Sequence, residues 1–289
     1  MSTCPVTVVI PAFQAESYLR VTLQSLQQQT KLPEAIVVVD DGSTDGTAAI
    51  AREFGVTLVQ QAQRGPGAAR NRGIELAKTE FVAFLDADDW YTPDKLERSV
   101  KILDQLRAAC LSTDAWTVRK DRIEGRKNQQ RTVPTVLTTE RLLQNSPVIC
   151  SSVVARTSAV REAGLFDENP DLIATEDFDL WLRMSHREPL AYLGEPLTFY
   201  RVHTGSLSAN ARFVRGIDCI LEKVARRHEG QAHFLNLVRR RRADVRLDLA
   251  WDLLAEGRKA EARQLIHEAQ GLATTWKGWR MRLRSLLPA

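Results

Sequence analysis

The segment Phe81-Val82-Ala83-Phe84-Leu85 is apolar throughout and runs straight into Asp86-Ala87-Asp88-Asp89. A strand buried on both faces needs side chains such as Val, Phe and Leu. It has no structural use for three acids at its tip, where their repulsion costs stability unless a cation or a donor group neutralises them. One Asp is enough to cap the next element. Two carboxylates at alternate positions bring oxygen ligands within reach of one hard divalent ion, Mn2+ or Mg2+, and such an ion can hold a diphosphate. The fold must therefore end a buried strand at an open polar edge.

Three further runs have the same character. Val6-Thr7-Val8-Val9-Ile10 stops at Pro11, and a helical pattern follows from Ser17 with Leu19, Leu23 and Leu26 on one face. Ala35-Ile36-Val37-Val38-Val39 ends in Asp40-Asp41-Gly42-Ser43, before a predicted helix over 44–54. Val56-Thr57-Leu58-Val59 precedes a predicted helix over 67–77. Buried strands alternating with helices predict a parallel, doubly wound sheet. Such sheets bind ligands at the carboxyl ends of their strands. Pro11-Ala12-Phe13, Asp40-Asp41 and Asp86-Ala87-Asp88 all fall there, so three separate stretches converge on one crevice. Residues 121–131 are polar and unpatterned and predict a mobile loop or hairpin tip. Residues 148–156 predict a strand, 176–184 a helix start, and the chain beyond 210 reads as helical.

The apolar runs are strand-sized and none approaches the ~20 residues of a membrane span. The first residues lead directly into a strand with no leader-like segment, which predicts a cytosolic protein. The four cysteines lie far apart and form no CxxC pair, so neither a zinc site nor a disulfide framework is expected. The net charge of +4 conceals an asymmetry, with −4 over residues 1–209 and +8 over 210–289.

Each candidate site residue has two readings on local grounds. Gly42 and Ser43 suit a turn and cap, while adjacent Asp40 and Asp41 after a valine run also suit the imide N–H of a uracil-type base. The stretch Arg64-Gly65-Pro66-Gly67-Ala68-Ala69-Arg70 is either a flexible loop or a glycine-rich helix entry at which backbone can approach phosphate. Glu176-Asp177 is either compensation of a helix dipole or a site for a general base. His203 is a structural histidine or a metal ligand. Trp181 is a core residue or a platform for an acceptor sugar.

Six segments, taken in order, resemble the inverting family 2 glycosyltransferases. They are Val6 to Phe13, Val39 to Asp45, Gly67 to Asn71, Phe84 to Asp89, Gly164-Leu165-Phe166-Asp167-Glu168 and Glu176-Asp177-Phe178-Asp179-Leu180-Trp181. The resemblance covers roughly residues 4–209. It implies a GT-A fold, an α/β architecture on a mixed, mainly parallel central sheet. Residues 1–110 would form a nucleotide-sugar-binding half and 111–209 an acceptor-binding half, with a basic helical extension over 210–289. By the family's pattern Pro11, Ala12 and Phe13 line the base and ribose pocket, Asp41 meets the base edge with Asp40 beside it, and Arg70 lies near the nucleotide. Asp86, Ala87 and Asp88 form the DXD motif, with Asp89 close to the donor sugar. Asp88, Asp86 and His203 would hold Mn2+ or Mg2+. Asp177 would be the catalytic base, with Glu176 and Trp181 toward the acceptor. The resemblance further implies a UDP-linked donor, a saccharide or lipid-linked acceptor, and a role in cell-surface polysaccharide or glycolipid assembly. The QxxRW motif and membrane helices of processive members are absent from the sequence, which favours single additions.

Two other classes are weaker. A nucleotidyltransferase needs a glycine-rich loop with a basic residue after the first strand, where Pro11-Ala12-Phe13-Gln14-Ala15-Glu16 stands instead. Nucleic-acid binding would rest on Arg239 to Arg242 alone, without an aromatic platform, and nucleic acid is not an expected partner. Residues 249–266 read as two short helices hinged at Gly257. The tail from Trp276 to Leu287 mixes Trp and Leu with cations, a composition that suits either peripheral contact with an anionic inner membrane face or a solvated basic tail.

Overall fold

A computed structural model describes residues 2–130, 132–203, 211–273 and Met281. The predicted tail contact at 276–287 lies outside the described residues apart from Met281. The chain forms two compact units. The first comprises Met1–Thr139, Pro147–Pro170 and Glu176–Gly205, and the second Glu140–Ser146, Asp171–Thr175 and Ser206–Ala289.

In chain order the elements are β1 (Thr3–Ala12), α1 (Leu19–Gln27), β2 (Leu32–Asp40), α2 (Thr47–Glu53), β3 (Thr57–Gln60), α3 (Pro66–Leu76), β4 (Phe81–Phe84), β5 (Trp90–Tyr91), α4 (Lys95–Leu106), β6 (Cys110–Arg119), β7 (Arg122–Arg126) and β8 (Val136–Leu137). They continue with α5 (Thr139–Asn145), β9 (Val154–Arg156), α6 (Thr157–Glu162), α7 (Glu176–Ser185), β10 (Leu190–Arg201), α8 (Ala211–Arg227), α9 (Ala232–Ala255) and α10 (Lys259–Leu272). Among the described residues the strands form one sheet in the order β3-β2-β1-β4-β9-β6-β10-β5, with β7 on β6 and β8 on β10. The β3-β2-β1-β4 half is parallel, as the alternating pattern predicts. Strand β9 runs antiparallel to both β4 and β6, and β6 is parallel to β10, so the whole sheet is mixed. From β1 the chain moves outward to β2 on one side and returns to β4 on the other. Sheets of this kind take ligands at the strand ends beside such a reversal, and Pro11 to Phe13 and Asp86 lie at those ends of β1 and β4.

The core follows from the sequence pattern. Leu19, Leu23 and Leu26 of α1 are fully buried, as are Val6, Val8 and Ile10 of β1 and Phe81 and Ala83 of β4. Helix α3 lies at backbone range from β1. A Cβ at Gly73 would fall 2.3 Å from Val9 Cγ1, so only glycine fits there without a shift.

Local polar chemistry moved several boundaries. Helix α2 begins three residues later than predicted because Asp45 Oδ1 accepts the Thr47 N–H at 3.0 Å and Oδ2 accepts the Glu16 N–H, fixing a turn first. The strand expected over 148–156 survives only as β9. Before it, Cys150–Ser152 is a turn of 3-10 helix in which Ser152 Oγ donates to the Ile149 carbonyl at 2.8 Å. Residues 121–126 are ordered in the β6–β7 hairpin. Its turn residues Lys120 and Asp121 both have positive φ, 47° and 58°, the backbone of a two-residue primed turn. Strands β6 and β10 were not foreseen.

In the second unit α9 is one 24-residue helix, and Gly257, at φ 81°, separates it from α10. Ala243, Leu247, Ala250 and Leu253 of α9 pack with Ala262, Ile266 and Ala269 of α10. Arg242 and Arg246 pair with Asp218 of α8. Among the described residues no helix is long and apolar enough to cross a membrane.

Candidate functional site

The carboxyl ends of β1, β2 and β4, the start of α3 and the start of α7 all belong to the first unit. Asp41 is buried, and its carboxylate holds the following loop in place. Oδ1 accepts from Gln61 Nε2 at 2.7 Å and from the Arg64 N–H at 2.9 Å, and Oδ2 accepts from the Gly65 N–H at 2.8 Å. Asp40 corrects the expectation of a ligand contact. It is 0% exposed, with Oδ1 accepting from the Ser43 N–H and Oδ2 from Gln60 Nε2, so it braces the turn from within. Pro11 and Ala12 are buried at the end of β1, while Phe13 stands out at 47% exposure.

Arg70 lies on α3 and is almost wholly buried. It donates to Asp86 Oδ1 through Nη2 and to Glu176 Oε1 through Nη1, each at 2.6 Å. The same guanidinium lies 5.3 Å from the Phe166 ring centroid. Glycine at 67 permits this meeting of α3 and α7, since a Cβ there would come within 3.2 Å of Glu176 Cγ. Asp86 and Glu176 are thus counter-charged from below by one cation. A buried pair is costly to break, because removing one partner leaves the other charge unpaired.

Among the described residues no guanidinium pairs with the carboxylates of the next two acids. Asp88 has a raised proton affinity, through burial first and then the charge of Asp86, against the hydrogen bond to His203. Its Oδ2 lies 2.9 Å from His203 Nε2. Asp89 is pushed well above the usual carboxylate range by burial and then by Asp88 and Asp86. Its Oδ1 accepts the Arg201 N–H at 2.8 Å. Ala87 is buried and its carbonyl accepts from Thr22 Oγ1 at 2.8 Å, which pins the acidic loop to α1.

The donor set fits a divalent cation, with one change from the expected ligands. Asp88 and His203 converge, an oxygen and a nitrogen at one point, and the surplus negative charge of Asp88 and Asp89 is what a cation relieves. Asp86 is drawn to Arg70 instead. Among the described residues no group of three or more His, Cys, Asp or Glu side chains is gathered as a metal site. The remaining ligands would have to come from diphosphate oxygens and water.

Asp177 sits in the first turn of α7 and is partly buried. Burial first, and then the neighbouring Glu176 charge, push its carboxyl up to about 7, against the pull of Arg70 and its hydrogen bond from the Phe178 N–H. Glu176 itself is 4% exposed and committed to Arg70, which limits it as an acceptor contact. Trp181 corrects the sugar-platform expectation. It is 1% exposed, with its ring 6.0 Å from Phe84 and 6.2 Å from Phe166, and has no open face to offer.

Sequence reasoning passed over Arg201 and Tyr18. Arg201 donates through Nε to the Asp88 carbonyl at 3.1 Å, and the Tyr18 ring stacks on His203 at 5.2 Å. Phe199 and Arg201 alternate on one face of β10 and His203 follows two residues past Arg201, a period-two signal visible in the sequence once β10 is recognised.

The glycosyl transferase family 2 model matches residues 7–164, more than half of the chain and the whole of the acidic strand-end region. The chain belongs to glycosyl transferase family 2. Among its relatives are the "Putative teichuronic acid biosynthesis glycosyltransferase TuaG" of Bacillus subtilis, 27% identical over 71% of this chain and 82% of that one, and the Escherichia coli "UDP-Glc:alpha-D-GlcNAc-diphosphoundecaprenol beta-1,3-glucosyltransferase WfaP", 25% identical over 71% and 80%. The "Putative glycosyltransferase EpsH" of B. subtilis is 39% identical over 35% of this chain, which spans only 31% of its length. The fold matches the S. aureus TarS 1-349 crystal structure in complex with UDP-GlcNAc, with TM-score 0.70 and 19% identity, covering 95% of this chain and 82% of that one. It also matches the mannosyltransferase PcManGT from Pyrobaculum calidifontis in complex with GDP-Man and Mn2+, with TM-score 0.62 and 18% identity over 99% and 80%. These likenesses establish the GT-A fold.

Proposed function

We propose that this family 2 member is an inverting, non-processive glycosyltransferase. It moves one sugar from a nucleoside-diphosphate donor, a UDP-sugar, to a hydroxyl of a saccharide or lipid-linked acceptor in polysaccharide or glycolipid assembly. The observation that carries the reading is Asp177, a partly buried carboxyl whose proton affinity is raised to about 7, held beside the Arg70-bridged acids of the donor side. A base tuned close to neutral pH takes a hydroxyl proton most effectively.

In this reading Asp177 accepts the acceptor's hydroxyl proton as its oxygen attacks the anomeric carbon. The bond from that carbon to the diphosphate oxygen breaks, the nucleoside diphosphate departs, and the anomeric configuration inverts. A second carboxylic acid to protonate the leaving group, as in a glycosidase, is not required for a diphosphate. Asp88 and His203 would hold Mn2+ or Mg2+, which supplies charge neutralisation for the diphosphate. Arg70 keeps Asp86 and Glu176 in place, and Pro11, Ala12, Phe13 and Asp41 edge the base pocket. The donor choice is supported by the UDP-GlcNAc bound in TarS, and the lipid-linked acceptor by the activity in the printed name of WfaP.

The test is nucleoside diphosphate release from a panel of nucleotide sugars with an acceptor extract, in Mn2+ or in EDTA. Asp177→Asn is expected to lower transfer by roughly 10²–10⁴-fold while donor binding, followed by calorimetry, stays near the wild-type value. Wild-type turnover in that variant would remove Asp177 from the role of base.

A further inference from the structure

Around the Asp88–His203 pair the structure builds a layered stack that the proposed chemistry does not use directly. Trp90 of β5 lies flat on Phe199 of β10, with centroids 5.0 Å apart at 11°. The Arg201 guanidinium lies 4.8 Å from the Trp90 centroid and 5.1 Å from that of Tyr18. Tyr18 in turn stacks on His203 at 21°. Four rings and one guanidinium, drawn from the start of α1, β5 and the end of β10, thus finish on the imidazole that faces Asp88.

Arg201 is also the hydrogen-bond hub of this corner. Its backbone N–H goes to Asp89 Oδ1, its Nε to the Asp88 carbonyl and its Nη1 to Asp121 Oδ1 at 2.6 Å. Tyr18 occupies the N-cap of α1 and makes no capping hydrogen bond. Ser, Thr, Asp or Asn would be the stabilising choice there. The position therefore gives up helix stability for a ring, and the ring's partner is His203.

We propose that Tyr18 and Arg201 are positioning residues that hold His203 and the Asp88 loop in the arrangement a divalent cation requires. The proposal rests on the donor-site reading above. Asp88 and Asp89 lie together on one short acidic loop, and His203 follows the end of β10, one residue past the Val202 N–H that donates to the Val118 carbonyl at 2.8 Å. The stack fixes the imidazole plane, and Arg201 fixes the Asp88 backbone. Partners behind metal ligands commonly set affinity in this way.

The experiment measures Mn2+ binding to the full chain in the presence of UDP, by electron paramagnetic resonance, and UDP binding without metal, by calorimetry. Tyr18→Leu and Arg201→Met are expected to weaken Mn2+ binding roughly 10-fold or more and leave metal-free UDP binding unchanged. Tyr18→Phe, which keeps the ring, is expected to restore the wild-type Mn2+ value. Should Arg201→Met fail to fold, the Tyr18 pair decides alone, since that side chain is only partly buried. Unchanged Mn2+ affinity in Tyr18→Leu, or an equal loss of both kinds of binding, overturns the positioning role and leaves the donor site standing. No Mn2+ binding by the wild type with UDP overturns the donor-site reading and this inference with it.

Discussion

The acidic tip of β4 and the arginine-rich helix α9 handle charge in opposite ways. At the tip of β4 Asp89 is buried and Asp88 is partly buried, and burial together with the neighbouring acids raises both proton affinities. In the helical unit the charges are paired at the rim. Arg242 faces Asp218 and Glu222, and Arg246 faces Asp218 and Glu268. The two arrangements look alike in sequence, each a run of like charges. They differ in what balances them. Rim pairs add little stability because water screens them. Buried uncompensated acids cost stability, and a fold keeps them where a ligand completes the balance.

The comparison breaks first at Arg70, the cation under the acidic cluster. Arg70→Met should cost about 3–5 kcal/mol, read by chemical denaturation, because Asp86 and Glu176 lose their shared partner. A loss below 1 kcal/mol on that scale would mean that water already screens the pair. A core substitution gives the yardstick. Trp181→Ala should cost about 3–5 kcal/mol with the acceptor KM of the folded fraction unchanged, whereas a specific rise in acceptor KM would return Trp181 to the sugar-binding surface.

The pH dependence sharpens the same contrast. Asp177 must be ionised to act, so kcat/KM should rise tenfold per pH unit below about 7 and level off above it. Stability should move the other way. The folded chain holds this proton more tightly than the unfolded chain, so ionising Asp177 between its unfolded value and about 7 destabilises the fold as pH rises. Asp177→Asn should therefore melt above the wild type at pH 8 and match it more closely at pH 5. The smallest effect belongs to the rim. Asp218→Asn should change stability by about 1 kcal/mol or less, and added salt should shrink the difference.

Much of the crevice could be read from the chain because its residues sit at the ends of contiguous apolar runs. Phe81 to Asp89 carries both a strand and its acids, and a strand end is a place as well as a pattern. The rest depended on partners far away in sequence. Asp40 and Asp41 look equivalent in order and are both buried, and only the loop at 60–65 makes one a brace of the Ser43 turn and the other the anchor of the Arg64–Gly65 backbone. Asp86 and Asp88 form one motif in the text, yet Arg70 draws off the first and His203 the second. Strands β6 and β10 lacked a clear period. Serine and threonine line the first, and register shifts around Pro196 interrupt the second. With β10 unseen, Arg201 had no face on which to be noticed.

The close approach at Gly73 sets a limit on transplanting this site. A methyl group there would fall 2.3 Å from Val9 Cγ1, so the helix carrying Arg70 can ride on the sheet only while that position stays bare. Any side chain at 73 lifts the helix, and the guanidinium one turn earlier rises with it, out of reach of one carboxylate or the other. Copying the charged residues onto another doubly wound sheet would therefore reproduce the charges and lose the bridge, unless the spacing between helix and strand travels with them.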